Sequence, residues 1–341
     1  MENDALPLIS ILVAARNEEA NIAACLDALI SQDYPKDKFE IWIGDDQSED
    51  NTAAIVMEYA IKYPNVHLFS VEACVLHQKG KSNVLAQLAP QAKGEFLFIT
   101  DADVTLGPLW LKTMLPYFTP QVGVITGVVA TKGNSLFAKL QNAEWLFYMA
   151  HGHSNFERGK PVTAVGGNMA VRASAYWLTG GYEQISFSVT EDLELFKEIR
   201  KKGFTFHSVF NAESLGFTNP LPSFGALIKQ RRRWFTGAMQ LPLIFVVSLV
   251  FSWSLLLILL IVAVFAWKAA LLLFLVKWLM DIGFLIKTYR QLHLKVDAGV
   301  WLYWPYSLVF NTLVLALQLM PGAVEWKGRK YEEKYVVADG L

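Results

Sequence analysis

From Leu8 to about Val209, short apolar runs alternate with stretches of helical periodicity. "LISILVAA" predicts a buried strand, Glu18 to Ser31 a helix, "FEIWIG" a strand, Asn51 to Tyr63 a helix and "VHLFS" another strand. "KSNVLAQLAP" then predicts a helix, "EFLFIT" a strand, Leu109 to Tyr117 a helix and "VGVITGVVA" a strand. Strands alternating with helices imply a mostly parallel sheet covered on both faces. In open sheets of that kind ligands bind beyond the carboxyl ends of the strands. Three of these strands hand over to polar residues there, in "AARNEE", "DDQSEDNT" and "TDADV". Together they frame one cleft.

The pattern changes after Leu241. Leu241 to Trp267 carries no charge and is longer than the roughly 20 residues that cross a bilayer. It predicts a transmembrane helix. Lys268 offers a tight turn, and Ala269 to Ile286 is a second candidate span containing Lys277 and Asp281. Four residues apart, these two share a helix face and are expected to pair. Val300 to Met320, opened by "WLYWPY", is either a third span or a helix lying in the interface. The pattern leaves the count at two or three. Arg231, Arg232 and Arg233 precede the first span, and Lys287, Arg290 and Lys295 follow the second. The excess of positive charge on the inner side of membranes then puts both clusters, and the amino-terminal domain, in the cytoplasm. A third crossing would leave "WKGRKYEEK" outside. The chain is thus expected to divide into an α/β domain over 1–225, an interfacial segment over 226–240, membrane helices over 241–322 and a tail over 323–341.

Composition supports this division. The chain is 53% hydrophobic and 18% charged, against about 25% charged in an ordinary soluble domain. With a net charge of -1 and no long basic run, nothing points to a nucleic-acid partner. Cys25 and Cys74 are too few for a disulfide framework or a zinc cage, and both are expected to be small buried hydrophobes. The start "MENDALPLIS" is expected to be neither signal peptide nor anchor.

The chemistry gathers at the strand ends. Asp101 and Asp103 are two apart, so in an extended segment both carboxylates point to one side, where a hard divalent ion would relieve their repulsion. A solvated turn after a buried strand is the other reading. Asp45 and Asp46 end the second strand, ahead of Ser48 and Asp50, either of which could cap the next helix. Lys81 lies between a glycine and a helix start, a position suited to an anion such as a diphosphate. "TEDLELFKEIRKKG" opens a helix with Thr190 at the cap and Glu191 and Asp192 in the first turn, an arrangement that capping alone accounts for. "QRRRW", Gln230 to Trp234, stands beside the membrane, where basic residues meet anionic lipid. Lipid contact does not explain Gln230 or Trp234.

The order of these motifs carries more than any one of them. An Asp after the second strand, "DAD", "GGN" at Gly166 to Asn168, "TED" and "QRRRW" resemble the family 2 inverting glycosyltransferases of the GT-A fold. The likeness is to the membrane-embedded branch that includes cellulose and hyaluronan synthases and ceramide glucosyltransferases. It covers roughly Pro7 to Trp234, and "EWKGRKY" is similar to a segment of lipid-glycosylating members. The resemblance implies a GT-A domain followed by carboxyl-terminal membrane helices. It implies that Asp46, with Asp45 beside it, holds the nucleotide's base and ribose, and that Lys81 lies near the diphosphate. Asp101 would sit near the ribose and donor sugar, and Asp103, with Asp101, would bind Mn2+ or Mg2+. Asp192 would be the general base, with Glu191 beside it. Gln230, Arg233 and Trp234 would clamp the diphosphate, Arg233 stabilising its charge, and Gly167, Asn168 and Trp234 would shape the acceptor pocket. "DDQS" stands where "DDGS" is usual, and Gln47 is compatible with a turn that needs no positive φ.

The implied activity is transfer of a sugar from a UDP-sugar to a lipid or lipid-linked hydroxyl by a multi-pass protein of the bacterial inner or plasma membrane. Candidate acceptors are a ceramide, a diacylglycerol or a polyprenyl phosphate. The alternative is a processive polysaccharide synthase, which two or three spans would serve poorly as a channel. An inactive sugar-nucleotide sensor would have lost Asp103 or Asp192, and a transporter would not devote two thirds of its chain to a soluble domain.

Overall fold

The computed structural model describes residues 6–71, 74, 77–160, 163–318, 324–326 and 329–331. In chain order the elements are β1 (Ile9–Ala15), α1 (Ile22–Ile30), β2 (Phe39–Asp45), α2 (Thr52–Lys62), β3 (Val66–Ser70), α3 (Lys81–Leu88), β4 (Phe96–Asp101), β5 (Thr105–Leu106) and α4 (Trp110–Met114). There follow β6 (Val122–Thr126), β7 (Val129–Thr131), α5 (Leu136–Glu157), β8 (Asn168–Arg172), α6 (Ala173–Leu178), α7 (Gly181–Gln184), α8 (Glu191–Lys201), β9 (Thr205–Ser208) and β10 (Gly216–Thr218). The carboxyl-terminal part comprises α9 (Phe224–Ala238), α10 (Leu243–Trp253), α11 (Leu255–Gln291), α12 (Ala298–Gln318), β11 (Val324–Trp326) and β12 (Arg329–Tyr331). The chain forms two compact units, one of residues 1–130 and 152–218, the other of residues 131–151 and 219–341.

In the first unit, among the described residues, seven strands form a sheet in the order β3-β2-β1-β4-β8-β6-β9. Only β8 runs against its neighbours β4 and β6. β1 is buried along nearly its whole length, as a central strand covered on both faces must be. Register places the chemistry: Ala15 pairs with Asp45 and Ala14 with Asp101, so the acidic ends of β2 and β4 flank β1 on one edge. Asn168, the first residue of β8, pairs with Thr100 and brings "GGN" to that same edge. The run "VGVITGVVA" is two strands, because β7 leaves the main sheet for a small one with β5 and β10.

The turns after β1 and β2 are stitched together. Ser48 Oγ accepts from the Asn17 amide at 3.0 Å, Asn17 Oδ1 accepts from the Glu49 amide at 2.9 Å, and Asp50 takes the amides of Thr52 and Glu19, each at 3.0 Å. Asp50 is therefore the side chain that serves the start of α2, as one of the two expected caps, while Ser48 ties the turns. Gln47 corrects the sequence reading, because its φ is 58°. Asn17, at 51°, tolerates the left-handed region through its short polar side chain, but Gln47 is exposed and gains no such bond. Cys25 is buried as expected, whereas Cys74 is exposed in the connection from β3 to α3.

In the second unit α9 starts at Ser223, whose hydroxyl accepts from the Ala226 amide at 3.2 Å. The expected first span does not form one helix. α10 ends at Trp253, whose carbonyl accepts from Thr312 Oγ1 at 2.8 Å while its indole donates to Tyr148 at 3.0 Å. Those bonds take the groups that a straight helix would have carried past Ser254. At 11 residues, α10 is too short to cross a bilayer. No tight turn forms at Lys268; α11 instead kinks at Ala266, with φ -152° and ψ 67°. Among the described residues α11 and α12 are long and apolar enough to cross a membrane. On α11, Leu260, Ile261, Val264, Phe265 and Trp267 are exposed. Lys277 and Asp281 pair, as their spacing predicted. Of "EWKGRKY", Lys327 and Gly328 lie outside the described residues, as does the tail beyond Tyr331.

Because a long side chain in the left-handed region costs about 1–2 kcal/mol, Gln47→Gly is expected to raise the thermal unfolding midpoint. A rise of about 2–4 °C in a calorimetric scan is the expected size for a domain this large.

Candidate active site

The sheet edge carries two clusters. At the end of β2, Asp45 and Asp46 are both buried. Asp45 Oδ2 accepts from the Ser48 amide at 3.3 Å, while its Oδ1 is buried without a partner. Arg16, from the end of β1, donates to the carbonyls of Asp46 at 2.6 Å and Gln47 at 3.1 Å, and its Nε is likewise buried and unpartnered. An unbonded buried carboxylate oxygen costs about 1–3 kcal/mol or more. At the rim of a sheet, such an atom is a feature suited to an incoming N–H donor.

The second cluster is built on Lys81. Its ammonium, 12% exposed, donates to Asp101 Oδ1 at 2.6 Å, pairs with Glu191 Oε1 at 3.0 Å and reaches the Gly166 carbonyl at 3.3 Å. Burial alone would lower its pKa, but Asp101 and then Glu191 raise it. Lys81 therefore neutralises carboxylates here, a different task from the diphosphate contact expected of it. Asp192 Oδ2 accepts from the Gly166 amide at 2.7 Å and Oδ1 from the Leu193 amide at 2.8 Å. Burial, and then the Glu191 charge, push the Asp192 carboxyl up to about 6, against the opposing pull of Lys81 and the two amides. Capping does not explain α8 as the sequence suggested, since Thr190 makes no side-chain cap bond.

Gly166 and Gly167 fit between these groups because they lack side chains. A Cβ on Gly166 would meet Lys81 Nζ at 2.9 Å and Asp192 Oδ2 at 3.2 Å, and one on Gly167 would meet Asp101 Oδ2 at 2.9 Å. Asn168 has a different position from the one expected. It is fully buried, its Oδ1 accepting from Trp110 Nε1 at 2.8 Å and its Nδ2 donating to Val128 at 2.9 Å and Ser214 at 2.7 Å. Its amide fixes the floor behind the glycines and does not face a pocket.

Asp101 and Asp103 do not share one face of an extended strand. β4 ends at Asp101 and the chain turns, with the Val104 amide donating to the Asp101 carbonyl at 3.0 Å. Asp103 Oδ2 instead accepts from Thr218 Oγ1, on β10, at 3.0 Å. Among the described residues no group of three or more His, Cys, Asp and Glu side chains could hold a metal ion. One or two carboxylates completed by phosphate oxygens and water is, however, the usual setting of Mg2+ bound with a nucleotide. Asp101 Oδ1 is held by Lys81 and Asp103 Oδ2 by Thr218, and both carboxylates are of the oxygen-donor type that such an ion takes.

Gln230, Arg233 and Trp234 lie on α9, in the second unit. The middle of that motif is structural. Arg231 Nε and Nη2 pair with Glu144 Oε1 and Oε2 at 3.0 and 3.1 Å, with both side chains buried. Sequence reasoning passed over Glu144, although a lone acid in the apolar stretch "NAEWLFYMA" needs a cation once buried. It also missed Thr218, for which the sequence holds no local signal.

The model of the family described as "Glycosyltransferase like family 2" matches residues 7–237. A β-monoglucosyldiacylglycerol synthase of Trichormus variabilis is 30% identical over 240 residues, covering 69% of this chain and 50% of that protein. A poly-β-1,6-N-acetyl-D-glucosamine synthase of Staphylococcus epidermidis is 26% identical over 238 residues, 67% of this chain and 54% of that one. The chain spans about half the length of the curated relatives it matches. Among solved structures, the mannosyltransferase PcManGT of Pyrobaculum calidifontis, in complex with GDP-Man and Mn2+, superposes with a TM-score of 0.52. At 19% identity over 94% of this chain and 77% of that one, this likeness speaks for the fold, the expected GT-A arrangement.

If the glycine pair is a spacer between charged groups, Gly167→Ala should leave the fold intact and displace Asp101. We expect an unchanged circular dichroism spectrum with UDP affinity, measured by calorimetry in Mn2+, lowered about tenfold, equivalent to about 1.4 kcal/mol.

Proposed function

The chain belongs to the family 2-like glycosyltransferases, and from that premise we propose a membrane-anchored inverting enzyme that moves a sugar from a nucleotide sugar, a UDP-sugar, to a lipid hydroxyl. The observation that carries this reading is Asp192: a half-buried carboxylate with a pKa raised to about 6, oriented by two amides and lying within the field of Lys81, which is bonded to Asp101. A base is most effective when its pKa lies near the working pH. At neutral pH Asp192 is largely ionised and ready to accept a proton.

The acceptor hydroxyl gives its proton to Asp192 as its oxygen attacks the donor's anomeric carbon. The bond to the nucleoside diphosphate breaks on the opposite face, so an α-linked donor gives a β-product. The unpartnered Asp45 Oδ1, with Asp46 beside it, receives the nucleotide base and ribose. Asp101 faces ribose and donor sugar. Asp103, with Asp101, would hold a divalent ion, which would offset negative charge on the diphosphate. Gln230, Arg233 and Trp234 clamp that diphosphate, with Arg233 stabilising the charge as it develops. The name of the Trichormus variabilis relative supports a lipid acceptor, and the exposed apolar surface of α11 supports attachment to a membrane. The basic residues at Arg231 to Arg233, ahead of the apolar helices, support a cytoplasmic catalytic domain. The Staphylococcus epidermidis relative favours a second reading, processive synthesis of a polysaccharide. Incubation with radiolabelled UDP-sugars, total membrane lipid and Mn2+ separates the two: a lipid-soluble product supports the first, a polymer the second.

Two measurements test the residues. kcat/KM is expected to fall as pH drops through about 6, the Asp192 value. Asp192→Asn should lose about 10²–10⁴-fold in turnover with UDP affinity retained; normal turnover would remove Asp192 as the base. The sign for stability is opposite. A raised carboxyl contributes stability below its ordinary 3.8 and loses it as pH rises through about 6, so this residue is held at some cost to the fold at neutral pH. Asp103→Ala should abolish the Mn2+-dependent part of UDP binding, read by calorimetry with and without chelator. Equal metal-independent binding in the unaltered protein would count against the ion site.

A further inference from the structure

Glu144 is the single ionised side chain between Lys139 and His151, and it is fully buried in the second unit. Both its oxygens grip Arg231, at 3.0 and 3.1 Å, and the Tyr306 hydroxyl donates to Oε2 at 3.4 Å. The Arg231 guanidinium has two further contacts. It donates to Gln230 Oε1, and it lies over the Trp234 ring at 4.2 Å. Trp234 in turn packs on Trp145, the neighbour of Glu144, with ring centroids 4.5 Å apart. Arg231 thus touches Gln230 and Trp234, the two residues of the motif that membrane charge does not explain, and Glu144 holds Arg231.

We propose that Glu144 is a positioning residue: through Arg231 it fixes the side chains of Gln230 and Trp234 in the orientation that receives the donor. The inference rests on the reading above, in which Gln230, Arg233 and Trp234 contact the diphosphate. A buried ion pair is a poor device for stability alone, because replacing both partners with apolar residues of similar volume is often neutral or stabilising. An apolar pair cannot hold the Gln230 amide or present a flat cation to the Trp234 ring. Nor can lysine at 231, whose point charge lacks the fork that engages both oxygens of Glu144. The three arginines of the motif therefore differ in duty, since Arg231 is committed to Glu144 and Arg232 reaches Gln318 at 3.5 Å.

The test separates folding from positioning. The double variant Glu144→Leu/Arg231→Leu and the single variant Arg231→Lys are assayed in the full chain with the radiolabelled UDP-sugar panel, total membrane lipid and Mn2+, alongside thermal unfolding. The double variant should unfold at or above the temperature of the unaltered protein, yet lose about 10²-fold in kcat/KM, the scale of a small misplacement of binding groups. Arg231→Lys should lose activity in the same direction, and it decides the matter by itself if the double variant does not fold. Unaltered kcat/KM in a folded double variant, or in Arg231→Lys, overturns the positioning role. Arg233→Ala and Trp234→Ala run in parallel: if these keep full activity, the donor-clamp reading falls. If they lose it while the Glu144 and Arg231 variants keep theirs, only the positioning inference falls.

Discussion

The site in the first unit depends on one buried ammonium. Lys81 is bonded to Asp101, paired with Glu191 and close enough to Asp192 to act on its charge. Desolvating a lone ammonium costs several kcal/mol, so Lys81 is tolerable in the interior only because acids surround it. The converse is as important, because one positive charge cannot satisfy three carboxylates. Asp101 and Glu191 take the direct contacts, and Asp192, buried beside Glu191, is left without one. Burial first, and then the Glu191 charge, raise this carboxyl to about 6 against the pull of the single ammonium and two amides. The glycines at 166 and 167 follow from the same crowding, since the charged atoms already occupy the space that a Cβ would need.

The architecture was legible in the sequence where local pattern determines it. Apolar runs ending in acids located β1, β2 and β4 closely, because a strand buried on both faces must be apolar along its length and must stop where polar residues begin. The edge that collects Asp45 and Asp101 followed from alternation of strands and helices, whereas Gly167 was placed there only by the family resemblance. What escaped was set by contacts distant in sequence. Asp103 turns to Thr218, 115 residues on. α10 stops at Trp253 because Tyr148 and Thr312 hold that residue, although the hydropathy of 241–267 is unbroken. Gln47 was misjudged for a related reason. Its positive φ is imposed by a turn whose ends are tied to Arg16 and to the loop at Asn17, not by its own preference.

Asn168 shows how a motif can be right in place and wrong in part. The three residues of "GGN" do sit at the sheet edge, but two are there for their lack of side chain and the third for its buried amide. Similarly, "QRRRW" mixes duties that sequence alone cannot separate. An arginine looks the same whether it faces a phosphate or a buried glutamate, and only the partner, 87 residues away for Arg231, tells them apart.

Both units therefore use the same device, a buried cation shared with acids, to different ends. Around Lys81 the acids outnumber the cation, and burial together with the Glu191 charge raises the proton affinity of Asp192. Around Arg231 one glutamate meets one guanidinium in a matched fork. Mismatch suits a group that must exchange a proton, and match suits a group that must stay still. The identity of the cation contributes as well, because the guanidinium fork engages both oxygens of one glutamate whereas an ammonium is a point charge open to several acids. The first cluster leaves Asp192 with a raised proton affinity, and the second holds Arg231 against Glu144 by two bonds.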